Sequence, residues 1–224
     1  MQSIRIWDLP TRLFHWLLAL AIVALVITAK LGGDAMQLHM RLGYAVFALL
    51  LFRLVWGVLG GRWSRFVHFV PTPARLLAYW RGSREAALHA GHNPLGALSA
   101  LAMLAVLSLQ VASGLLADDE IAYSGPLTAR APDALIRLAT RYHAGPGQWL
   151  VLALVALHVA AIVWYLRRGK NLVRPMLSGD KRLAPATPAS RDSPATRAGA
   201  ALVLAAAAAV VYGVVQWGAR ALLG

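Results

Sequence analysis

The chain contains no cysteine. That excludes disulfides, thiolate-held iron–sulfur clusters and the thioether attachment of c-type heme. Acidic residues are scarce: nine Asp and Glu stand against 22 Lys and Arg, for a formal net charge of +13. In a soluble domain that excess would point to nucleic acid. Here the cations fall between apolar stretches, so they read as topology signals and contacts for anionic lipid, and no nucleic-acid partner is expected. Charged residues of both signs make up only 14% of the 224 residues. What is plentiful is apolar surface: the hydrophobic fraction is 59% and the mean hydropathy +0.60. Several stretches reach the roughly 20 residues that cross a hydrocarbon core about 30 Å thick. Arg5, Asp8 and Pro10 precede the first of them, which is long and lacks a small-residue cleavage pattern, so it reads as a retained helix rather than a leader.

Five spans are predicted, near residues 13–29, 42–59, 94–117, 148–166 and 199–217. Asp8, Pro10 and Thr11 supply helix-start chemistry before the first. Gly60 and Gly61 close the second. Pro94 suits the first turn of the third, which ends at Asp118, Asp119 and Glu120. After the second span comes a basic linker with Arg62, Arg65, Arg75, Arg81 and Arg84 against Glu85, broken by Pro71 and Pro73. Within it Pro73–Trp80 is predicted as a short interfacial helix, with Tyr79 and Trp80 at headgroup level. Asp133–Tyr142 is predicted as an amphipathic surface helix. A second basic block, Arg167, Arg168, Lys170, Arg174, Lys181 and Arg182, follows the fourth span. The expected organisation is a four-helix membrane domain over 1–182, a mobile cytoplasmic linker over 183–198 and an extra transmembrane helix over 199–224. No internal repeat is visible. With both basic blocks kept inside, the amino terminus lies in the cytoplasm and the carboxyl terminus in the periplasm of a bacterial inner membrane.

Four histidines carry the chemistry. His15 lies early in the first span, His39 at the start of the second, His143 just before the fourth and His158 within it. An ionisable side chain in a membrane is costly, and neutral imidazole is a common iron ligand. Alternating span direction places His15 and His158 near the cytoplasmic side, and His39 and His143 near the outer side. His143 and His158 are fifteen residues apart, about 22 Å of rise and about 60° of rotation on an α-helix, so both can face one bundle interior. This is the pattern of two hemes stacked inside four helices. The competing reading is four polar groups that merely bond neighbouring helices. A zinc site would gather its ligands in one place. Gly43 lies one turn beyond His39, where a missing side chain lets a flat porphyrin approach or simply lets helices pack. Arg41 and Arg53, at the two ends of the second span, are candidates for heme propionates or for snorkelling to headgroups. His92 reads as an interfacial hydrogen-bonding residue; His68 and His89 read as solvated.

The ordered pieces Trp7-Asp8-Leu9-Pro10-Thr11-Arg12 with Phe14-His15-Trp16, His39 with Gly43-Tyr44, Phe52-Arg53-Leu54-Val55-Trp56-Gly57, Gly91-His92-Asn93-Pro94-Leu95-Gly96, Ala156-Leu157-His158-Val159-Ala160-Ala161 and Asn171-Leu172-Val173-Arg174-Pro175-Met176 extend over roughly 4–182. Over this length the chain resembles the bacterial cytochrome b561 family, which includes the cytochrome b subunits of nickel–iron hydrogenases. The resemblance implies an all-α transmembrane four-helix bundle holding two b-type hemes, with a fifth helix outside the likeness. Each heme would have two histidine ligands, from His15, His39, His143 and His158. The family usually spaces the two ligands of the fourth span by fourteen residues rather than fifteen, and here Gly145-Pro146-Gly147 lies between them. Because Pro146 is tolerated only in a first turn, His143 is expected on a loop or distorted turn.

Two axial histidines leave no open iron position, so such hemes pass electrons rather than bind oxygen. The leading expectation is an electron-transfer subunit rather than a stand-alone enzyme. Its partners would be the lipid bilayer, membrane quinone and a periplasmic cytochrome c or oxidoreductase subunit. The resemblance also offers a superoxide-oxidising, quinone-reducing enzyme, with Lys30 and Arg41 guiding the anion. The third alternative is a heme-free scaffold or transporter.

Overall fold

The computed structural model describes residues 1–81 and 90–222; Arg84, Glu85 and His89 of the basic linker lie outside the described residues. The helices in chain order are α1 (Leu9–Leu31), α2 (Ala35–Leu59), α3 (Phe66–Phe69), α4 (Pro73–Trp80), α5 (Pro94–Gly114), α6 (Asp133–Tyr142), α7 (Gln148–Arg167), α8 (Val173–Ser178) and α9 (Pro194–Ala219). Among the described residues, five helices are long and apolar enough to cross a membrane. The fold is the expected all-α membrane fold. Spans drawn from hydropathy fall short of several helix ends, because Gln37, His39 and Arg41 are compatible with a helix though not with an apolar window. Helix starts follow their local chemistry. Asp8 caps α1 by accepting the Thr11 N–H at 2.8 Å, and Asn93 caps α5 by accepting the Gly96 N–H at 2.7 Å. Helices α4 and α6 stand over their predicted ranges.

A two-stranded antiparallel ribbon adds to this plan: β1 (Gln2–Arg5) pairs with β2 (Asp180–Leu183), Gln2 opposite Leu183 and Arg5 opposite Asp180. Two compact units follow from the packing. One comprises residues 1–15, 53–103 and 154–203, the other 16–52, 104–153 and 204–224. These units cut across the three regions expected from sequence, and α9 contributes residues to each.

The first unit has an apolar centre of Ile4, Ile6, Trp7, Trp63 and Ala90, with Met176 and Leu183 against it. Beside it lies Asp8, fully buried. Its Oδ1 accepts from Thr11 N at 2.8 Å and Trp56 Nε1 at 3.2 Å, and its Oδ2 from Gly61 N at 2.9 Å and Ser64 Oγ at 3.0 Å. The stretch expected to be a linker makes hydrogen bonds and ion pairs here. The Ser190 N–H donates to Arg5 O and its hydroxyl to Ile6 O, both at 2.7 Å. Trp63 Nε1 donates to Pro188 O at 2.9 Å. Asp192 meets Arg5 at 2.5 Å, Arg197 at 2.9 Å and Arg12 at 4.0 Å. Burial alone would raise the Asp192 carboxyl pKa, but the Arg197, Leu9 N–H and Arg5 bonds outweigh it and hold it below the usual carboxylate range. A Pro/Ala/Ser/Thr composition carries no sign of such partners, and here the Ser190 N–H bonds Arg5 O of β1 while Trp63 takes up the Pro188 carbonyl.

In the second unit the segment after α5 folds back on itself through Gly125 N–H to Ala117 O at 2.7 Å and Leu127 N–H to Leu115 O at 2.9 Å. The exposed Asp119 carboxylate accepts the N–H groups of Tyr123, Ala122 and Ile121, which lower its pKa. Arg130 secures the end of α9, donating to Trp217 O at 2.8 and 3.0 Å with its guanidinium 4.0 Å from the Trp217 ring centre.

Candidate functional site

The structure brings the four span histidines together in two pairs. In the first unit His15 of α1 faces His158 of α7, ring centres 6.3 Å apart and planes tilted by 54°. In the second unit His39 of α2 faces His143, centres 6.1 Å apart and planes at 89°. All four rings are half-buried. Two imidazoles bound to one metal through nitrogens at about 2 Å, with ring centres roughly 1.1 Å farther out, stand about 6 Å apart centre to centre. Both pairs therefore fit two ligands on opposite sides of one iron.

His143 opens a π-helical turn, His143–Gly147, between α6 and α7. Gly145 is non-helical there (φ −106°, ψ −110°), and Pro146 sits inside the turn. A π turn takes in one residue more than an α turn. It therefore absorbs the fifteenth residue of the His143–His158 spacing, and the distorted turn expected from Pro146 is present.

The second unit's pair also has its tautomers set. His39 Nδ1 lies 3.0 Å from Leu25 O, and His143 Nδ1 lies 2.8 Å from Gln110 O. A carbonyl only accepts, so in neutral rings the proton is on Nδ1 and the Nε2 lone pair is free for a metal. The two rings line a cavity of about 400 Å³, walled largely by apolar residues such as Leu25, Val26, Leu107 and Val151. Gly43 lines it, and a Cβ there would meet nothing within 4 Å, so the side chain would enter the open space. Gly114 also lines it, and a Cβ there would come within 2.7 Å of His143 Cε1. Spacing gave no pointer to Gly114, because it faces His143 across helices rather than along one. A flat, mainly apolar group with two open axial positions fits these residues, which is the shape and chemistry of a b-type heme.

The remaining candidates are placed as follows. Arg53 is buried in the first unit, its guanidinium 4.9 and 5.5 Å from the Phe66 and Phe69 ring centres, and its Nη1 has no hydrogen-bond partner among the described residues. Arg41 is exposed on α2 and does not line the cavity, whereas Lys30 does. His92 is more enclosed than expected: it packs against Trp7 and Phe69, ring centres 4.8 and 4.9 Å away, with a buried Nδ1 that has no partner among the described residues. Burial first, and the Arg53 charge second, pull its pKa down to about 3, so it is neutral at physiological pH. His68, partly exposed, lines a small cleft with His92 and Arg75.

Residues 6–179 match the family model described as prokaryotic cytochrome b561. A protein named "Probable Ni/Fe-hydrogenase B-type cytochrome subunit" from Cupriavidus necator is 28% identical over 217 residues, covering 80% of this chain and 87% of the relative. Proteins of the same name from Rhizobium leguminosarum bv. viciae and Azotobacter chroococcum are 22% and 24% identical, covering 80% and 70% of this chain and 89% and 79% of theirs. The chain belongs to the prokaryotic cytochrome b561 family, membrane proteins that transfer electrons with heme b as cofactor.

Proposed function

We propose that this protein carries electrons between membrane quinone and a periplasmic redox partner through two bis-histidine b hemes. The observation that carries this reading is the pair of facing imidazole couples, His15 with His158 and His39 with His143, each spaced for one iron. Heme b, when bound, would supply one-electron transfer. The chain's own residues hold and orient it. Leu25 and Gln110 carbonyls fix the rings of His39 and His143, Gly43 and Gly114 make room, and Arg53 offers a buried cation in the first unit. The relatives' printed names favour a hydrogenase or similar oxidoreductase subunit as the partner, ahead of a soluble cytochrome c. Pyridine hemochrome quantitation on purified protein is expected to give about two non-covalent hemes per chain, one per histidine pair. A heme-free preparation from heme-replete cells would sink the reading.

Orientation follows from the basic blocks. Lys and Arg near span ends resist translocation. The blocks from Arg62 and from Arg167 therefore lie in the cytoplasm, His15 and His158 near that side, and His39 and His143 near the periplasm. A periplasm-dependent reporter is expected to be active when fused after Gly224 and inactive when fused after Ser178. The reverse pattern would invert the protein.

A further inference from the structure

The cavity beside His39 and His143 has an uneven charged rim. Among the described residues that line it, Asp118 and Asp119 are the acids and Lys30 is the one Lys or Arg. Lys30 stands in the last turn of α1. Its ammonium donates to Oε1 of Gln148 at 3.3 Å and lies 5.9 Å from the Trp149 ring centre. Gln148 also lines the cavity, and its amide NH₂ donates to the Ala144 carbonyl, which fixes the oxygen toward Lys30.

A b-type heme brings an ionic problem to any apolar cavity: its two propionates are carboxylates on one edge of the ring. They are repelled by an acid and held by a cation through charge-assisted bonds. Asp118 and Asp119 have no ion-pair partner among the described residues, so their edge of the rim stays negative. The geometry points to Lys30, positioned by Gln148, as the propionate anchor of the heme held between His39 and His143. The inference rests on the two-heme reading above, and it replaces Arg41, which like Lys30 is exposed but does not line the cavity, as the cation for this heme. Anchoring one edge at Lys30 fixes the rotation of the ring about its His–iron–His axis. It turns the opposite, uncharged edge away from Lys30. The cation also favours the reduced state, because reduction adds negative charge near it.

The test is a spectro-electrochemical titration of full-length protein in detergent, with heme content measured on the same samples. The outer component is identified as the one absent from His39→Ala. Lys30→Gln is expected to keep both hemes and to lower the outer midpoint, leaving the inner one in place. The expected size is about a three- to tenfold change in the outer heme's redox equilibrium, a tenfold change being about 59 mV for one electron. Lys30→Arg is expected to restore most of the shift. Unchanged midpoints in Lys30→Gln, or a larger outer shift in Arg41→Gln, would overturn the assignment. Fewer than two hemes in the unmutated protein would instead bring down the two-heme reading, a result seen in heme content before any potential is read.

Discussion

Alanine at His15 or at His158 is expected to abolish one heme, and alanine at His39 or at His143 the other. The effect should be all-or-none for the affected heme. A b-type heme has no covalent tether in a chain without cysteine, so a heme held by two imidazoles would lose half of that hold with either one. The pairing follows from ring centres 6.3 and 6.1 Å apart within each pair. Redox titration of the four single variants gives the answer. Loss of the same component by His15→Ala and His39→Ala would contradict the pairing. His143→Ala is the most demanding of the four, since its ring hangs from a π turn; a variant that kept both hemes would send the search to another outer ligand.

The second large effect is expected far from any cofactor. Asp8→Ala should destabilise the protein by on the order of 4 kcal/mol, because four donors lose this acceptor in a buried place and, with Ser64 able to turn to Thr11 Oγ1, three orphans remain at about 1–3 kcal/mol each. Those donors are Thr11 N, Trp56 Nε1, Gly61 N and Ser64 Oγ. Asp8→Asn should cost less, about 1–3 kcal/mol. With its NH₂ in the place of Oδ2, the Ser64 hydroxyl can accept from it and turn its own proton to Thr11 Oγ1, 2.7 Å away, leaving mainly Gly61 N unsatisfied. Thermal unfolding in detergent should rank the proteins unmutated, Asn, Ala. Equal stability of Ala and the unmutated chain would show that the cluster contributes nothing.

The sequence made the membrane class and the span count legible because hydrophobic length is a local property, readable in one window at a time. The four histidines were legible for a related reason: each is an expensive residue in an apolar run. Helix starts at Asp8 and Pro94 likewise depend on three or four adjacent residues. What stayed hidden depends on distant partners. Gln2–Arg5 has no strand pattern of its own and becomes a strand only against Asp180–Leu183. Residues 183–198 read as linker because nothing local reveals that Arg5, Arg12 and Trp63 bind part of them. Lys30 and Arg41 are equally basic on paper; only the fold separates a cavity rim from an exposed helix face. Asp8 was visible as a cap, but its bonds to Trp56, Gly61 and Ser64 join residues about fifty positions apart.

The strand at the amino terminus has a consequence for how the chain is made. Arg5 leaves the ribosome 175 residues before its partner Asp180. At about 5–20 residues per second, β1 waits on the order of ten to thirty seconds with no strand to pair with. Throughout that interval the first helices can already be in the bilayer, while the unit containing His15 and His158 lacks both β2 and the Ser190–Asp192 stretch that secures it. The same unit also needs residues up to 203. The surroundings of the His15–His158 pair are thus completed only once synthesis has passed residue 203, and a product terminated before Asp180 leaves β1 without its partner strand.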